Sequence, residues 1–483
     1  MDKIIFIAFV AYTLLLFVIT YFTSRKADSK AFFSGNRKSP WFVVAYGMIG
    51  ASLSGVTFMS VPGWVADRGF SYMLTVFGFF LGYLVISLIL MPTYYKHNLI
   101  SIYQYLDTRF GKRSHKTGSF YFILSRTLGA SLRMFIVIFF LHQFVFKQWN
   151  LSFEASVGIF LVLILLFTIR GGVKTIVWTD TIQTTFMLGA LILCFVMVAN
   201  AMDVSFGGML TKVWQSDFNY FIVTDSQSRL CWWKQILGGM FISISMTGLD
   251  QEMMQKNLSC KNIRSAQKNM ITFSLTLFVV NFLFLVLGAA LYIYAADNNI
   301  AVSGDSLFAT IAIDYLSPLA GLVFVIGLIS ALYPSADGAL TSLTTAVSID
   351  FLNIEERNDW SAKRKTHIRH LIHTLFAVIF VLVIIFYYYH QNKHLIDILY
   401  QVASITYGPL LGLFAFGLLT KRRVNDRYVP YICLLSPIIC FILSQNSLKW
   451  FNYSFDFELL VLNGLLTYLG LLSISFKQAS DRQ

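Results

Sequence analysis

Charge is scarce in this sequence. Only 13% of its 483 residues are Asp, Glu, Lys or Arg, whereas 57% are hydrophobic and 46 are Phe. The charged fraction is about half that of an ordinary soluble protein. So much apolar surface cannot be buried in one aqueous core, and the remainder must face lipid. The composition therefore excludes a soluble globular protein and predicts an integral membrane protein.

Other absences exclude further classes of protein. The five cysteines are scattered and include no CxxC pair, so the sequence has no disulfide framework. Walker and GxGxxG loops and the HExxH and GxSxG motifs are absent, which argues against an ATP-driven pump and against an enzyme. The net charge of +13 is divided into short runs between apolar segments. Nucleic-acid-binding proteins instead cluster their cations on one face, so no nucleic-acid partner is expected.

Long apolar runs are abundant. A helix that crosses a membrane needs about 20 mostly apolar residues, and its backbone must be hydrogen-bonded internally. We therefore predict an all-α polytopic membrane protein with about thirteen transmembrane helices, embedded in a lipid bilayer. The predicted segments are 3–23, 41–64, 70–94, 118–145, 152–169, 175–201, 234–254, 269–295, 317–348, 370–389, 396–420, 428–445 and 456–476.

The connections between these segments predict the topology. Cytoplasmic loops carry an excess of Lys and Arg, and most of the 37 cations fall in alternate connections, beginning with the one that follows segment 3–23. The N-terminus is therefore predicted to lie outside and the C-terminus in the cytoplasm, in a cell membrane. Segment 3–23 ends in Arg25 and Lys26 and is too long for the apolar part of a signal peptide, so we expect it to stay in the membrane.

The second segment concentrates residues that weaken a helix. It contains Gly50, Ser52, Ser54, Thr57 and Pro62. A helix broken here would expose carbonyl groups to a cation, as discontinuous transporter helices do. The alternative is close packing of small residues against a neighbouring helix.

Two carboxylates lie inside predicted spans. Asp180 follows Arg170 by ten residues, which places it about 15 Å along a helix. Asp337 lies in the ninth segment among many hydroxyl-bearing residues. Ionisable groups inside a membrane are costly and usually functional, and oxygen ligands suit hard cations. The alternatives are a structural hydrogen bond for Asp180 and hydroxyls that bond to their own helix.

Basic residues in the spans allow two interpretations each. Arg126 and Arg133 lie seven residues apart on the fourth segment, hence on similar faces. Arg126 is expected to reach the interface or form an ion pair. Arg133 is suited either to bidentate capture of a solute carboxylate or to an internal ion pair.

A cluster of histidines near the start of the tenth segment has a simpler interpretation. Its members, His367, His370 and His373, are spaced by three residues beside Arg369. They are expected at the lipid headgroups and not around a metal.

These motifs resemble the sodium/solute symporter family, which has the leucine-transporter fold with one extra N-terminal helix. The resemblance covers essentially the whole chain. It is carried by the segments 32–37 (FFSGNR), 170–183 (RGGVKTIVWTDTIQ), 251–256 (QEMMQK, with Lys256 where Arg is usual) and 334–343 (PSADGALTSL). It implies one transporter domain over 1–483, with inverted five-helix repeats at 41–201 and 234–420, the extra helix at 3–23 and C-terminal helices at 428–476.

The resemblance also implies ion sites. A common sodium site would use the carbonyls of Gly50, Leu53 and Ala331 with the Ser335 hydroxyl. Pro334 departs from the family pattern, because it stands where another Ser or Thr is usual.

A second sodium site, found in some members, would use Asp180 with Asp337 and Gly338, which stand where two serines are usual. The two carboxylates could surround sodium or share a proton. We expect Asp180→Asn to reduce sodium-driven uptake severely.

The part of the chain that bears on the solute is 52–62, which resembles the corresponding segment of bacterial sodium/sialic acid symporters. This likeness implies that Ser52, Ser54 and Thr57 face the solute and that Arg133 binds its carboxylate, although Val76 stands where those members have glutamine. We expect a sodium-coupled symporter for a small organic solute, most simply a carboxylate-bearing one such as a sugar acid. The alternatives are a sodium/monosaccharide or polyol symporter, an uncoupled facilitator or a sensor with the same fold.

Overall fold

The computed structural model describes residues 2–24, 29–169, 172–390, 395–453, 455 and 457–476. Some residues used in the sequence predictions lie outside this described part. They are Arg25, Lys26, Arg170, Gly171, Lys393, Lys477 and Arg482.

Helices make up 82% of the structure. The α-helices are α1 (Asp2–Ser24), α2 (Ser29–Ser34), α3 (Trp41–Ser52), α4 (Gly55–Gly63), α5 (Val65–Arg68), α6 (Tyr72–Val85), α7 (Met91–Lys96), α8 (Gln104–Arg109), α9 (Lys112–Leu141), α10 (Phe153–Thr168), α11 (Gly172–Ala201), α12 (Phe206–Gln215), α13 (Trp232–Ser243), α14 (Gln251–Leu258), α15 (Ile263–Asp297), α16 (Leu307–Thr310), α17 (Pro318–Ala346), α18 (Ala362–His390), α19 (Leu395–Leu419), α20 (Val429–Phe451) and α21 (Glu458–Ser473). Wider π-helical turns occupy Ile86–Leu90, His142–Phe146, Ile244–Gly248, Ile311–Tyr315 and Val347–Phe351.

The predicted membrane architecture is confirmed at the level of its apolar helices. Within the described ranges, nine helices are long and apolar enough to cross a membrane, and α3 with α4 makes a tenth, bent span. The helices α10 and α21 are apolar but shorter. Each of the thirteen predicted segments coincides with a helix or a helix pair, whereas a count of thirteen complete crossings stays a prediction.

Helix α17 lies at the centre of the molecule. Its most apolar stretch is 83% buried, compared with 28% for α1 and α20. It packs against α1, α3, α4, α9, α10, α11, α14 and α18. Small residues permit this crowding, because a Cβ added to Gly327 would lie 2.6 Å from the Ala190 Cβ. Close approach of small residues is how helices associate where no water drives their packing.

Helix α4 is held by a similarly close contact with α15. A Cβ added to Gly288 of α15 would lie 2.4 Å from the Pro62 carbonyl oxygen. The side-chain hydroxyl of Tyr292, one turn further along α15, donates a hydrogen bond to the Gly63 carbonyl at 2.7 Å. These two contacts fix the second half of the bent span against the 35-residue helix α15.

The segment that precedes α20 and the segment that follows α21 pair as a short two-stranded sheet. Strands β1 (Arg423–Val424) and β2 (Ser475–Phe476) pair antiparallel, with Arg423 opposite Phe476. This sheet connects the start of α20 with the end of α21, and α21 also packs against α19.

Candidate solute and ion site

The bent span breaks where the sequence predicted it would. The last helical hydrogen bond before the break runs from the Leu53 N–H to the Ile49 carbonyl at 2.8 Å. The helical pattern resumes where the Phe58 N–H donates to the Ser54 carbonyl at 3.2 Å. The two halves are inclined by 57°. Since the last four carbonyls of a helix have no intrahelical donor, the carbonyls of residues 50–53 lie at the break and are accessible to a ligand.

A cavity of about 120 Å³ lies beside this break. The four residues predicted to contact solute all line it, which brings Arg133 of α9 together with Ser52, Ser54 and Thr57. The full lining is Ala51, Ser52, Leu53, Ser54, Val56, Thr57, Tyr72, Phe79, Tyr83, Arg126, Arg133, Ile242, Ser243, Met246, Thr247, Met253, Leu277 and Asn281. The structure therefore collects residues from α3, α4, α6, α9, α13, α14, α15 and the π-helical turn Ile244–Gly248.

Some lining residues were not singled out from the sequence. Tyr83, Ser243, Thr247 and Asn281 line the cavity and carry polar groups, but they belong to none of the motifs found in the sequence. Val76, which stands where the related symporters have glutamine, is buried but is absent from the lining among the described residues.

The predicted common sodium ligands come from the broken span and from α17. Ala331 and Ser335 are buried on α17, which packs against both α3 and α4. The Ser335 hydroxyl has no hydrogen-bond partner within the described ranges, which is unusual for a buried polar group. An oxygen with no protein partner is available to a cation.

Pro334 changes the backbone next to these ligands. It lies inside α17 and has no N–H, so the carbonyl four residues earlier, at Ser330, loses its helical donor. The Ser330 hydroxyl bonds to the Ile326 carbonyl at 2.7 Å and does not replace that donor. Pro334 thus removes a hydroxyl from the predicted site and releases a carbonyl oxygen.

Arg126 belongs to a buried ion-pair network. Its guanidinium pairs with the Glu252 carboxylate and lies 3.6 Å from Asp250 Oδ2. The Tyr407 hydroxyl donates to the same Asp250 oxygen at 2.8 Å. Of the two sequence interpretations for Arg126, the ion pair is therefore correct.

The start of α14 organises this network. Asp250 is the N-cap of α14, and its Oδ1 accepts hydrogen bonds from the N–H groups of Glu252 at 2.9 Å and Met253 at 3.3 Å. Such caps fix where a helix begins. Four residues separate Glu252 from Lys256, so both side chains lie on one face of α14.

Lys256 connects this network to the predicted second sodium site. Its Nζ lies 2.8 Å from Asp180 Oδ2 and 3.3 Å from Glu252 Oε1. Asp337 is fully buried nearby, with Asp180 and Lys256 as its charged neighbours. Asp180 and Asp337 are thus charged neighbours, Gly338 lies against Glu252, and the second sodium site itself stays a prediction.

The prediction for the histidines is wrong for one of the three. His373 is buried, and its two ring nitrogens lie 2.8 Å from the hydroxyls of Thr168 and Thr344. The His373 side chain points into the helix bundle and not toward the lipid headgroups, because these threonines provide its hydrogen-bond partners inside the bundle. His367, in contrast, is exposed. No group of three or more metal-binding side chains occurs among the residues that the structure describes.

A bundle of apolar helices with a broken span, buried carboxylates and a polar cavity in its interior has the architecture of a secondary transporter. The comparisons with known proteins agree. The family model "Sodium:solute symporter family" matches residues 32–427, and the chain belongs to this family. The protein is therefore a sodium-coupled membrane transporter and not an enzyme.

Several characterised relatives match over most of their length. The sodium/sialic acid symporter SiaT of Proteus mirabilis is 23% identical over 421 residues, which cover 84% of this chain and 83% of SiaT. The sodium/sialic acid symporter NanT of Aliivibrio fischeri is 23% identical over 466 residues, which cover 93% of this chain and 89% of NanT. The sodium-coupled monocarboxylate transporter 2 of Bos taurus is also 23% identical, covering 82% of this chain and 64% of that protein.

A solved structure shares the fold. It is a Na⁺-coupled sialic acid symporter in a substrate-bound outward-open state, with a TM-score of 0.84 and 18% sequence identity over 97% of this chain and 96% of that one. The nucleobase-cation-symport-1 family transporter Mhp1 aligns with a TM-score of 0.57 and 13% identity, over 93% of this chain and 94% of its own.

Proposed function

We propose that this protein imports a small carboxylate-bearing solute, most simply a sugar acid like sialic acid, together with sodium. The observation that carries the proposal is the cavity in which Arg133 meets Ser52, Ser54 and Thr57 beside the helix break. A guanidinium binds a carboxylate in two-pronged geometry, and hydroxyls suit the polar remainder of a sugar acid.

The neighbouring arginine supports this assignment. Arg126 lines the same cavity but is engaged by Glu252 and Asp250. Its charge therefore stabilises the protein. Arg133 lies two turns further along α9 and lines the cavity together with Ser52, Ser54 and Thr57, so we assign the solute carboxylate to Arg133.

The relatives support an anionic solute. SiaT and NanT are named for sialic acid, and further relatives are named for monocarboxylates and iodide. All of these solutes are anions. The shared chemistry favours an anion also for the chain described here.

We place sodium between the break and α17. Its ligands would be the carbonyls of Gly50, Leu53 and Ala331 and the Ser335 hydroxyl, with the Ser330 carbonyl in place of the hydroxyl that Pro334 lacks. A cation held by both helices favours the conformation in which the broken span is ready for solute. Each ligand then raises the affinity for the other.

The same proposal includes the arrangement in the membrane. All thirteen helical segments would cross the bilayer, with the N-terminus outside and the C-terminus in the cytoplasm. The two inverted repeats, 41–201 and 234–420, would together form two bundles of helices, and these bundles would rock against each other so that the cavity opens alternately to each side.

The test is uptake into proteoliposomes of radiolabelled sialic acid, a monosaccharide, proline and a short monocarboxylate, with and without an inward sodium gradient. We expect sodium-stimulated accumulation of an acidic compound by the wild type. Arg133→Ala should abolish it, whereas Lys212→Ala, at an exposed cation outside the cavity, should leave it unchanged. Equal uptake by wild type and Arg133→Ala would contradict the proposal.

A sodium/monosaccharide or polyol symporter is the second candidate. The hydroxyls and the Asn281 amide in the cavity favour it, because they match neutral sugars without needing a charge. Accumulation of the monosaccharide that is insensitive to Arg133→Ala would support this alternative. Uptake of any compound at equal rates with and without sodium would instead indicate an uncoupled facilitator, and no uptake of the panel would favour the sensor.

A further inference from the structure

A groove runs along the outer surface of the helix bundle between α9 and α20. Its first part has a volume of about 380 Å³ and is lined by the starts of both helices, among them Arg113, Lys116, Tyr121 and Leu434. Its second part, of about 310 Å³, extends to Phe441 and is closed on one side by α19. Tyr121 and Leu434 line both parts. The two parts therefore form one continuous groove, which we call the α9–α20 groove.

The length of this groove matches one leaflet of a membrane. The groove extends from Arg113 to Leu124 along α9 and from Pro430 to Phe441 along α20. Each stretch advances 11 residues, which is about 16 Å at 1.5 Å per residue. The hydrocarbon core of a bilayer is about 30 Å thick, so half of it corresponds to the length of the groove.

The walls of the groove are apolar and exposed. Phe120, Leu434, Ile438 and Phe441 all line it, and each has about half of its surface exposed. Exposed apolar surfaces of this kind mark places of interaction with a membrane or a partner. In a chain that crosses the membrane many times, the molecules that meet such walls are acyl chains.

The shape of the groove is set by a hydrogen bond within the protein. Pro437 lies inside α20 and has no N–H, so the Cys433 carbonyl loses its helical donor. The Tyr121 hydroxyl of α9 donates to this carbonyl at 2.6 Å. This bond fastens α20 to α9 midway along the groove. The groove is therefore preformed, which lowers the cost of binding a ligand there.

Two cations lie at the first end of the groove. The side chains of Arg113 and Lys116 are exposed, and within the described ranges neither of them forms an ion pair. The carboxylate of Asp426 accepts hydrogen bonds from the backbone N–H groups of Arg113 at 2.9 Å and Ser114 at 2.8 Å. It thereby caps α9 and leaves the two cationic side chains available to an anion.

We propose that the α9–α20 groove binds one anionic phospholipid, with its phosphate at Arg113 and Lys116 and an acyl chain along Phe120, Leu434 and Phe441. The proposed topology places the basic end in the cytoplasm, where the leaflet carries anionic lipids and where basic pockets between helices bind their headgroups. Binding of this lipid depends neither on the solute nor on sodium.

The test is competition for fluorescent phosphatidylglycerol bound to the purified protein in mixed micelles. We expect unlabelled dioleoyl phosphatidylglycerol to displace the probe from the wild type at much lower concentration than dioleoyl phosphatidylcholine. Each cation near a membrane surface favours an anionic lipid about fivefold. The double variant Arg113→Gln with Lys116→Gln should therefore lose about thirtyfold of this preference.

The matched control is the double variant Arg264→Gln with Lys268→Gln. These two residues are also exposed and lie at the start of α15, outside the groove. This variant should keep the preference of the wild type. Dihexanoyl phosphatidylglycerol has the same headgroup but short chains, so it should compete at least about tenfold more weakly than the dioleoyl lipid. Inorganic phosphate should not compete.

Three results would overturn the proposed lipid site. The first is equal competition by phosphatidylglycerol and phosphatidylcholine in the wild type. The second is an equal loss of preference in both double variants, which would indicate attraction to surface charge in general. The third is equal competition by the dihexanoyl and dioleoyl lipids, which would show that the groove binds no acyl chain. If the Arg113 and Lys116 variant does not fold, high salt decides the question with the wild type, because it screens exposed charges and should remove the preference. A preference unchanged by salt would contradict binding by these cations.

Discussion

At the scale of single residues, the interior is arranged as a series of alternating charges. Asp250, Arg126, Glu252, Lys256 and Asp180 follow one another through buried ion pairs. The desolvation of each charge is offset by its neighbours, so the loss of one member exposes the others to an uncompensated cost.

Arg126→Ala tests this dependence. It leaves Glu252 and Asp250 buried without their guanidinium, and breaking a buried pair in this way costs about 3–5 kcal/mol. We expect a large fall in apparent melting temperature in detergent. The matched control is Lys212→Ala, because Lys212 pairs with Asp297 at 3.7 Å on the surface and such exposed pairs contribute about 0–1 kcal/mol. Equal melting temperatures for the two variants would contradict the role of the network.

Ser335→Ala tests the sodium site with a matched serine on the same helix. The Ser335 hydroxyl has no partner among the described residues, whereas the Ser342 hydroxyl bonds to the Ala339 carbonyl at 3.0 Å. We expect Ser335→Ala to raise the sodium concentration for half-maximal uptake about tenfold, equivalent to about 1.4 kcal/mol. Ser342→Ala should leave that concentration nearly unchanged, and an equal effect of both would argue against Ser335 as a ligand.

The burial of individual polar residues was predictable from the sequence, whereas their hydrogen-bond and ion-pair partners were not. Asp180 and Asp337 were expected to be buried, because they lie inside long apolar runs, and both are. The pairing of Asp180 with Lys256 was not predictable, because the two residues lie on separate helices and α14 carries too little apolar pattern to be placed. His373 shows the same limit, since its threonine partners come from two other helices.

At the scale of elements, the break between α3 and α4 is the feature on which the site depends. Its position followed from the sequence, because small residues and hydroxyls interrupt an apolar run. The π-helical turns were not predicted, since they arise from packing and leave no residue signature. One of them, Ile244–Gly248, leads directly into the Asp250 cap and supplies Met246 and Thr247 to the cavity. Such turns often occur at functional sites.

Gly288→Ala tests how α4 is held. The added Cβ would meet the Pro62 carbonyl oxygen at 2.4 Å, and such overpacking costs about 1–3 kcal/mol. We expect a lower melting temperature and slower uptake. Gly189→Ala is the control, because nothing lies within 4 Å of its added Cβ and alanine is the better helix former. A Gly288→Ala variant as stable as Gly189→Ala would show that the contact is not tight.

At the scale of the whole molecule, hydropathy predicted where the helices lie but not which helix is central. All thirteen apolar segments contain helices, because lipid permits few alternatives. The central place of α17 was not evident, since its mean hydropathy lies within the range of the other spans. Its distinguishing feature is its many small residues, and their meaning depends on the helices that pack around them.

The predicted topology can be tested by labelling introduced cysteines. The five native cysteines are all buried, so the wild type should react little with a membrane-impermeant maleimide. Ser226 and Asn358 are exposed in two different loops. In intact cells we expect Ser226→Cys to be labelled and Asn358→Cys to be labelled only after permeabilisation. The reverse pattern would invert the topology.

The buried carboxylates of Asp180 and Asp337 have a consequence for bioenergetics, because they would hold the second of two sodium ions if the protein carries two. One sodium ion carried with one monovalent anion moves no net charge, so the membrane potential would not drive uptake. The sodium concentration ratio alone would then set the limit, and a tenfold ratio would support at most about tenfold accumulation of solute. A second ion would square that ratio and add the potential, which is worth about 2.3 kcal/mol per charge for every 100 mV. A sodium ion at these carboxylates would thus give the protein more concentrating power, and its absence would give transport that costs less sodium and continues in a depolarised cell.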